Sequence, residues 1–258
     1  MLIDWHQVYA SVWRSHSGKL KPVTRLDPVR LKELKGIDKQ KQALLDNTCH
    51  FINGKPSNHA MLWGARGTGK SSLIKAVLNE KAQQGLRMVQ IDKDELHHLP
   101  EILDSLEDAD PQFRFVIFCD DLSFEEGESS YKPLKTLLEG GLELPPEHVR
   151  LYATSNRRHL LPEKQSENQL SGLVDGEVHY ADSLEDKLAL SDRFGLNLSF
   201  YPANWDNYFA IVESLFAGLN VDPQQLHEAA RLYAMGRGSH SGRTAKQFYQ
   251  YYRAGLPD

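Results

Sequence analysis

Gly64-Ala65-Arg66-Gly67-Thr68-Gly69-Lys70-Ser71 fits the phosphate-binding P-loop pattern G-x-x-x-x-G-K-[ST]. Its flanks are those the pattern requires. The apolar run 59–63 before it reads as a short buried strand. Residues 70–80 after it read as a helix with Leu73, Ile74, Val77 and Leu78 on one face. Glycines let such a loop curl so that backbone N–H groups point inward, and the following helix adds its free N–H groups and positive dipole end. Residues 64–72 (Gly64, Ala65, Arg66, Gly67, Thr68, Gly69, Lys70, Ser71, Ser72) are therefore the expected phosphate cradle. Lys70 is expected to reach the terminal phosphates as a point charge, and the Ser71 hydroxyl to ligate Mg²⁺.

Runs at 86–91, 113–119, 149–154 and 196–200 read as further strands, separated by helical patterns at 99–106 and 130–138, the latter ended by Gly140-Gly141. Another helix starts at Asp38, expected as its N-cap, and stops at Gly54. Continuously apolar strands alternating with helices mean a parallel sheet covered on both faces. A polar stretch at 163–183 reads as a surface excursion, followed by a helix through Leu184, Leu188 and Leu190. After Pro202 the pattern changes to three amphipathic helices at 206–219, 223–235 and 243–252, a small C-terminal helical unit. Residues 1–35 read as an N-terminal extension packing loosely, giving the division 1–35, 36–202 and 203–258.

The apolar run ending Phe118-Cys119-Asp120-Asp121 supplies the strand-end carboxylates that a P-loop needs. Asp120 is expected to serve the metal and Asp121 to orient the attacking water. The strand ending Ala153-Thr154-Ser155-Asn156 brings Asn156 to the same crevice, where it can reach a γ-phosphate or its attacking water.

A net charge of −5 with 25% charged and 40% hydrophobic residues describes a globular chain without a general basic coat, so a nucleic acid is the less favoured client. Cys49 and Cys119 read as small buried residues of a reducing compartment, and no run is apolar and long enough to span a bilayer. The expectation is a cytoplasmic protein with no membrane association. His97-His98 has no third ligand at a fitting spacing and reads as a helix-surface pair.

With Leu188-Ala189-Leu190-Ser191-Asp192-Arg193-Phe194-Gly195 and Ser241-Gly242-Arg243-Thr244 added, these features resemble, in this order, the AAA+ ATPase superfamily over most of residues 34–250. The resemblance implies a five-stranded α/β P-loop sheet in the order 5-1-4-3-2 with a helical lid, and ATP and Mg²⁺ as cofactors. It places Gly36 and Ile37 in the adenine pocket and makes Asn156 the sensor-1 residue. Arg243 becomes the sensor-2 arginine of the lid. Arg193 becomes an arginine finger acting in trans on a neighbour's ATP within a homo-oligomeric ring or open spiral. The phrases FCDDLSFEEG, YATSNRRHL and LSDRFGL look like a widespread bacterial AAA+ family labelled a domain of unknown function.

Two departures qualify the motor reading. The general-base position holds Asp121 where AAA+ motors usually have glutamate, with Glu125 and Glu126 as rival bases, so slow intrinsic hydrolysis is expected. Residues 92–98 carry no aromatic-apolar-glycine pore loop, which weakens a polypeptide-threading role. The leading expectation is an assembly-dependent ATPase switch or remodeller acting on a macromolecular client, protein before nucleic acid. The alternatives are a nucleic-acid-associated loader, with Arg157-Arg158 and the basic residues around Arg237 and Arg243 on phosphates, and a P-loop small-molecule kinase.

Overall fold

The computed structural model describes residues 3–124, 131–140, 145–158, 160 and 190–255. Glu125, Glu126, Gly141, the 163–183 stretch, and Leu184 and Leu188 of the helix expected after it lie outside the described residues.

The strands are β1 (Ala10–Arg14), β2 (Lys19–Pro22), β3 (Ala60–Gly64), β4 (Leu86–Ile91), β5 (Arg114–Cys119), β6 (Val149–Ser155) and β7 (Leu196–Phe200). The described helices are α1 (Asp38–Ile52), α2 (Lys70–Lys81), α3 (Leu99–Glu107), α4 (Lys132–Glu139), α5 (Trp205–Leu215), α6 (Pro223–Gly236) and α7 (Gly242–Arg253). They build one seven-stranded sheet in the order β2-β1-β4-β5-β6-β3-β7, parallel throughout except for the β1–β2 hairpin. The five strands expected from the sequence lie in the expected order, with β3 between β6 and β7.

The other two strands come from the N-terminal extension, which does not pack loosely. Strand β1 pairs in parallel with β4, Ser11 opposite Val89, and Trp5 and Trp13 are buried in the core. An unfinished β4 edge is a row of unpaired N–H and C=O groups, and β1 satisfies it.

The apolar run of β5 is continuous because both faces of the sheet are covered. Phe115, Ile117 and Cys119 pack on one face with Leu99, Ile102 and Leu106 of α3 and Leu134 and Leu137 of α4. Val116 and Phe118 face the other way, onto Leu44 and Phe51 of α1 and Leu73, Ile74, Val77 and Leu78 of α2. Each such side chain contributes roughly 1.5–3 kcal/mol on burial. Helix α1 starts on Asp38 itself, with Ile37 in the cap position and Asp38 Oδ1 accepting from Lys41 Nζ at 2.6 Å.

The three C-terminal helices form a separate small core around Tyr208, Phe216, Leu226 and Phe248. Each is started by a side chain accepting a backbone N–H of its first turn: Asn204 from Asn207, Asp222 from Gln225, Ser241 from Thr244. Among the described residues no helix is long and apolar enough to cross a membrane.

Candidate functional site

Between the carboxyl ends of the strands and the C-terminal helices lies a cleft of about 920 Å³. The loop joining β3 to α2 forms its floor. Gly64, Gly67 and Gly69 have φ of 130°, 75° and 98°, which side-chain-bearing residues rarely adopt. A Cβ on Gly64 would lie 2.0 Å from the Phe200 carbonyl oxygen of β7, so only glycine fits there. Arg66 to Ser72 line the cleft, whereas Gly64 and Ala65 sit beneath it, with the Ala65 N–H donating to Phe200 O at 3.1 Å.

Lys70 opens α2 and is 7% exposed. Its Nζ donates to the carbonyls of Gly64 and Ala65, both at 2.7 Å, and to Asn156 Oδ1 at 3.3 Å. Burial lowers its pKa from the usual lysine value, opposed by Asp121 and Asp120 and assisted by Arg243 and Arg66. Those groups, contributed by distant parts of the chain, therefore surround one ammonium.

The two aspartates diverge from the end of β5. Asp120 Oδ1 accepts from Ser71 Oγ at 2.6 Å and from Thr154 Oγ1 at 2.5 Å. A hydroxyl and a carboxylate thus converge next to the phosphate loop. That hard oxygen pair suits Mg²⁺, which takes one or two protein oxygens and completes its shell with phosphate and water. Asp121 is the one non-glycine residue with positive φ (55°) among those described. Its N–H donates to Thr154 Oγ1 at 2.9 Å, and its Oδ1 accepts from Asn156 Nδ2 at 2.5 Å. The Asn156 amide is fixed in one orientation, oxygen to Lys70 and nitrogen to Asp121.

The segment before α1 and the C-terminal helices close the cleft. Gly36 and Ile37 line it; a Cβ on Gly36, at φ 74°, would lie 2.5 Å from Asn207 Nδ2 of α5. At the other end the Gly242 N–H donates to Gly67 O at 3.1 Å, and Ser241 Oγ would lie 2.7 Å from a Cβ on Gly67. Arg243, in the first turn of α7, lines the cleft beside them.

Residues 6–256 match the protein family described as "Protein of unknown function (DUF815)". The chain belongs to this family. No curated protein matches its sequence. Among solved structures, this DUF815 member is similar to a RuvB point mutant from Thermotoga maritima, with 16% identity and a TM-score of 0.57. That likeness covers 88% of this chain and 65% of the RuvB chain. It is also similar to a chain of the HORMA:CdnC:Trip13 complex of E. coli MS115-1, with 14% identity and a TM-score of 0.50 over 86% and 90% of the two chains. These likenesses concern the fold, which is that of the AAA+ ATPases.

Within this DUF815 member the sequence-predicted groups Lys70, Ser71, Asp120, Asp121, Asn156 and Arg243 meet in the one cleft. Arg193 does not. Its Nε is ion-paired with Glu139 Oε1 at the end of α4, away from the cleft. The residues sequence reading missed are Thr154, buried at 2% exposure, and Asn207, which faces Gly36. Neither belongs to a spacing pattern; a polar residue ending an apolar strand, two positions before Asn156, was the available signal for Thr154.

Proposed function

We propose that the chain is an Mg–ATP-dependent ATPase that acts as an assembly-dependent switch or remodeller of a macromolecular client. The observation that carries this reading is the Lys70–Asn156–Asp121 hydrogen-bonded series set beside the Ser71–Asp120 pair on the P-loop. In this reading residues 1–35 extend an ATPase domain at 36–202, and 203–258 form its lid.

Lys70 exchanges the Gly64 and Ala65 carbonyls for phosphate oxygens, keeping its charge in a partly desolvated site where it acts most strongly. Ser71 and Asp120 hold Mg²⁺, which when bound neutralises charge building on the transferred phosphoryl group. Asp121 accepts a proton from, and orients, the attacking water. Asn156 fixes that carboxylate and senses the phosphate through the same amide. Gly36 and Ile37 seat the base, and Arg243 approaches the phosphates from the lid.

Arg193 completes a neighbouring copy's site once it leaves Glu139, so turnover depends on assembly. Arginine fingers are commonly worth ~10³–10⁵ in rate. The test measures ATP turnover against protein concentration, with light scattering in parallel, with and without Mg²⁺. Turnover per chain is expected to rise with assembly, and Arg193→Ala to keep ATP binding while losing that rise. An Arg193→Ala protein that hydrolyses like wild type at high concentration overturns the trans role. Turnover independent of concentration and dependent on a small acceptor would instead indicate a kinase.

A further inference from the structure

The net charge of −5 conceals a segregated basic face. Residues 14–35 carry Arg14, Lys19, Lys21, Arg25, Arg30, Lys32 and Lys35 against Asp27 and Glu33, a net of +5, so the rest of the chain carries −10. All seven cations are exposed, and none is ion-paired with a carboxylate among the described residues. Of the two acids, Asp27 is already engaged with Lys75 of α2 at 3.4 Å.

The hairpin register sharpens this. Arg14 stands directly opposite Lys19, and Val12 opposite Lys21. Alternation puts Arg14, Lys19 and Lys21 on one face of the sheet's edge, while Trp13 and Leu20 turn to the core on the other. Like charges directly opposite on paired strands repel, and here no acid relieves them. With His16 they line a concavity of about 490 Å³.

Lysines and a proline on an edge strand also discourage strand-to-strand aggregation, and Lys19, Lys21 and Pro22 would do that alone. Arg25, Arg30 and Lys35 lie outside any strand or helix, and protection of the edge does not call for them.

We propose that this N-terminal edge binds the phosphate backbone of duplex nucleic acid. A concave, unneutralised row of Arg and Lys matches a regularly spaced polyanion. Duplex is favoured over single strand because residues 14–35 contain no Phe, Tyr or Trp, the large rings on which unstacked bases rest. The contact is to backbone and independent of sequence. The cation track reaches Lys35, which lines the nucleotide cleft. The proposal names a partner class for the client but does not require that ATP be hydrolysed.

The test is fluorescence anisotropy of a labelled DNA duplex of about 24 base pairs with the full chain and no nucleotide. If four phosphates are neutralised, affinity falls roughly 150-fold between 50 and 200 mM salt, from a slope of about −0.9 per phosphate. Lys19→Glu/Lys21→Glu is expected to weaken binding at least about tenfold and to flatten the salt slope by about two units. Its melting temperature is expected to be no lower than that of wild type, since a carboxylate at position 19 would face Arg14, and Arg237→Glu, on the C-terminal helices, is expected to bind duplex like wild type. The proposal is overturned if the double variant binds like wild type, if Arg237→Glu carries the loss, if single strand binds more tightly than duplex, or if anionic phospholipid vesicles bind and duplex does not. A protein that binds duplex in this way but turns over no ATP refutes the ATPase reading and leaves this one standing.

Discussion

Thr154 governs Asp120 through a single hydroxyl: Oγ1 donates to Asp120 Oδ1 at 2.5 Å while accepting the Asp121 N–H at 2.9 Å. The same residue's carbonyl accepts the Leu122 N–H at 2.7 Å. One buried threonine on β6 therefore holds the Asp120 carboxylate and the positive-φ backbone of its neighbour.

Replacing Thr154 by valine keeps the shape and removes the hydroxyl. We expect kcat to fall about 10–100-fold and the Mg²⁺ requirement to rise, with KM for ATP little changed, as for groups that orient ligating carboxylates. Thr154→Ser restores the donor and should recover most of the activity. A turnover series over Mg²⁺ concentration checks this; a serine variant as impaired as the valine variant would mean that the hydroxyl alone does not account for the loss.

Gly67→Ala tests the contact of Ser241 and Gly242 with the glycine loop. Its φ of 75° and a Cβ 2.7 Å from Ser241 Oγ mean that an alanine both strains the backbone, by about 1–2 kcal/mol, and pushes α7 away. Wild type at about 100-fold excess of ATP over Kd should gain about 2.7 kcal/mol of stability, and Gly67→Ala should lose most of that gain. Gly18→Ala is the control: φ is 57° but nothing lies within 4 Å, so melting drops without any change in the response to ATP.

Acid sensitivity is expected from His59. Its Nδ1 accepts the Leu151 N–H at 2.9 Å, and burial, followed by the nearby Arg150, lowers its pKa from 6.5 to about 4. Because the folded value lies below the unfolded one, the unfolded chain takes up a proton first as pH falls. Stability from this group is complete above pH 6.5 and is lost as pH falls to about 4, on the order of 3 kcal/mol in all. His59→Gln keeps an acceptor without titrating. Urea midpoints measured between pH 7.5 and 4.5 should fall more steeply for wild type, and parallel slopes would exclude His59 as the cause.

The central strands and phosphate loop were readable because their signals are local. A continuous apolar run such as Phe115 to Cys119 has one stable use, a strand covered on both faces, and the glycine spacing of the loop has few backbone solutions. Strand β1 was not readable, because Ala10 to Arg14 is short and acquires its structure from the free edge of β4. Strand β2, Lys-Leu-Lys-Pro, contains residues that sequence patterns assign to coil and takes its register from β1. Within the site, Asp120, Asp121 and Asn156 were legible from their places at strand ends. Thr154 was not, since its value depends on β5 and β6 lying side by side, Cys119 opposite Ala153. For Arg193, the ion pair with Glu139 joins residues more than fifty positions apart, and nothing in either segment announces it.

The C-terminal helices touch the rest of the molecule at both ends of the cleft, Asn207 against Gly36 and Gly242 on Gly67, and these two contacts belong to helices sharing one packed core. A rotation of these helices about residues 201–204 that opened one end would open the other, because they share one core. In the proposed ATPase, base and phosphates would then be gripped and released together, through a single hinge coordinate. A substitution at Gly36 that wedges Asn207 outward would hasten phosphate departure at the far end of the cleft without touching the phosphate loop.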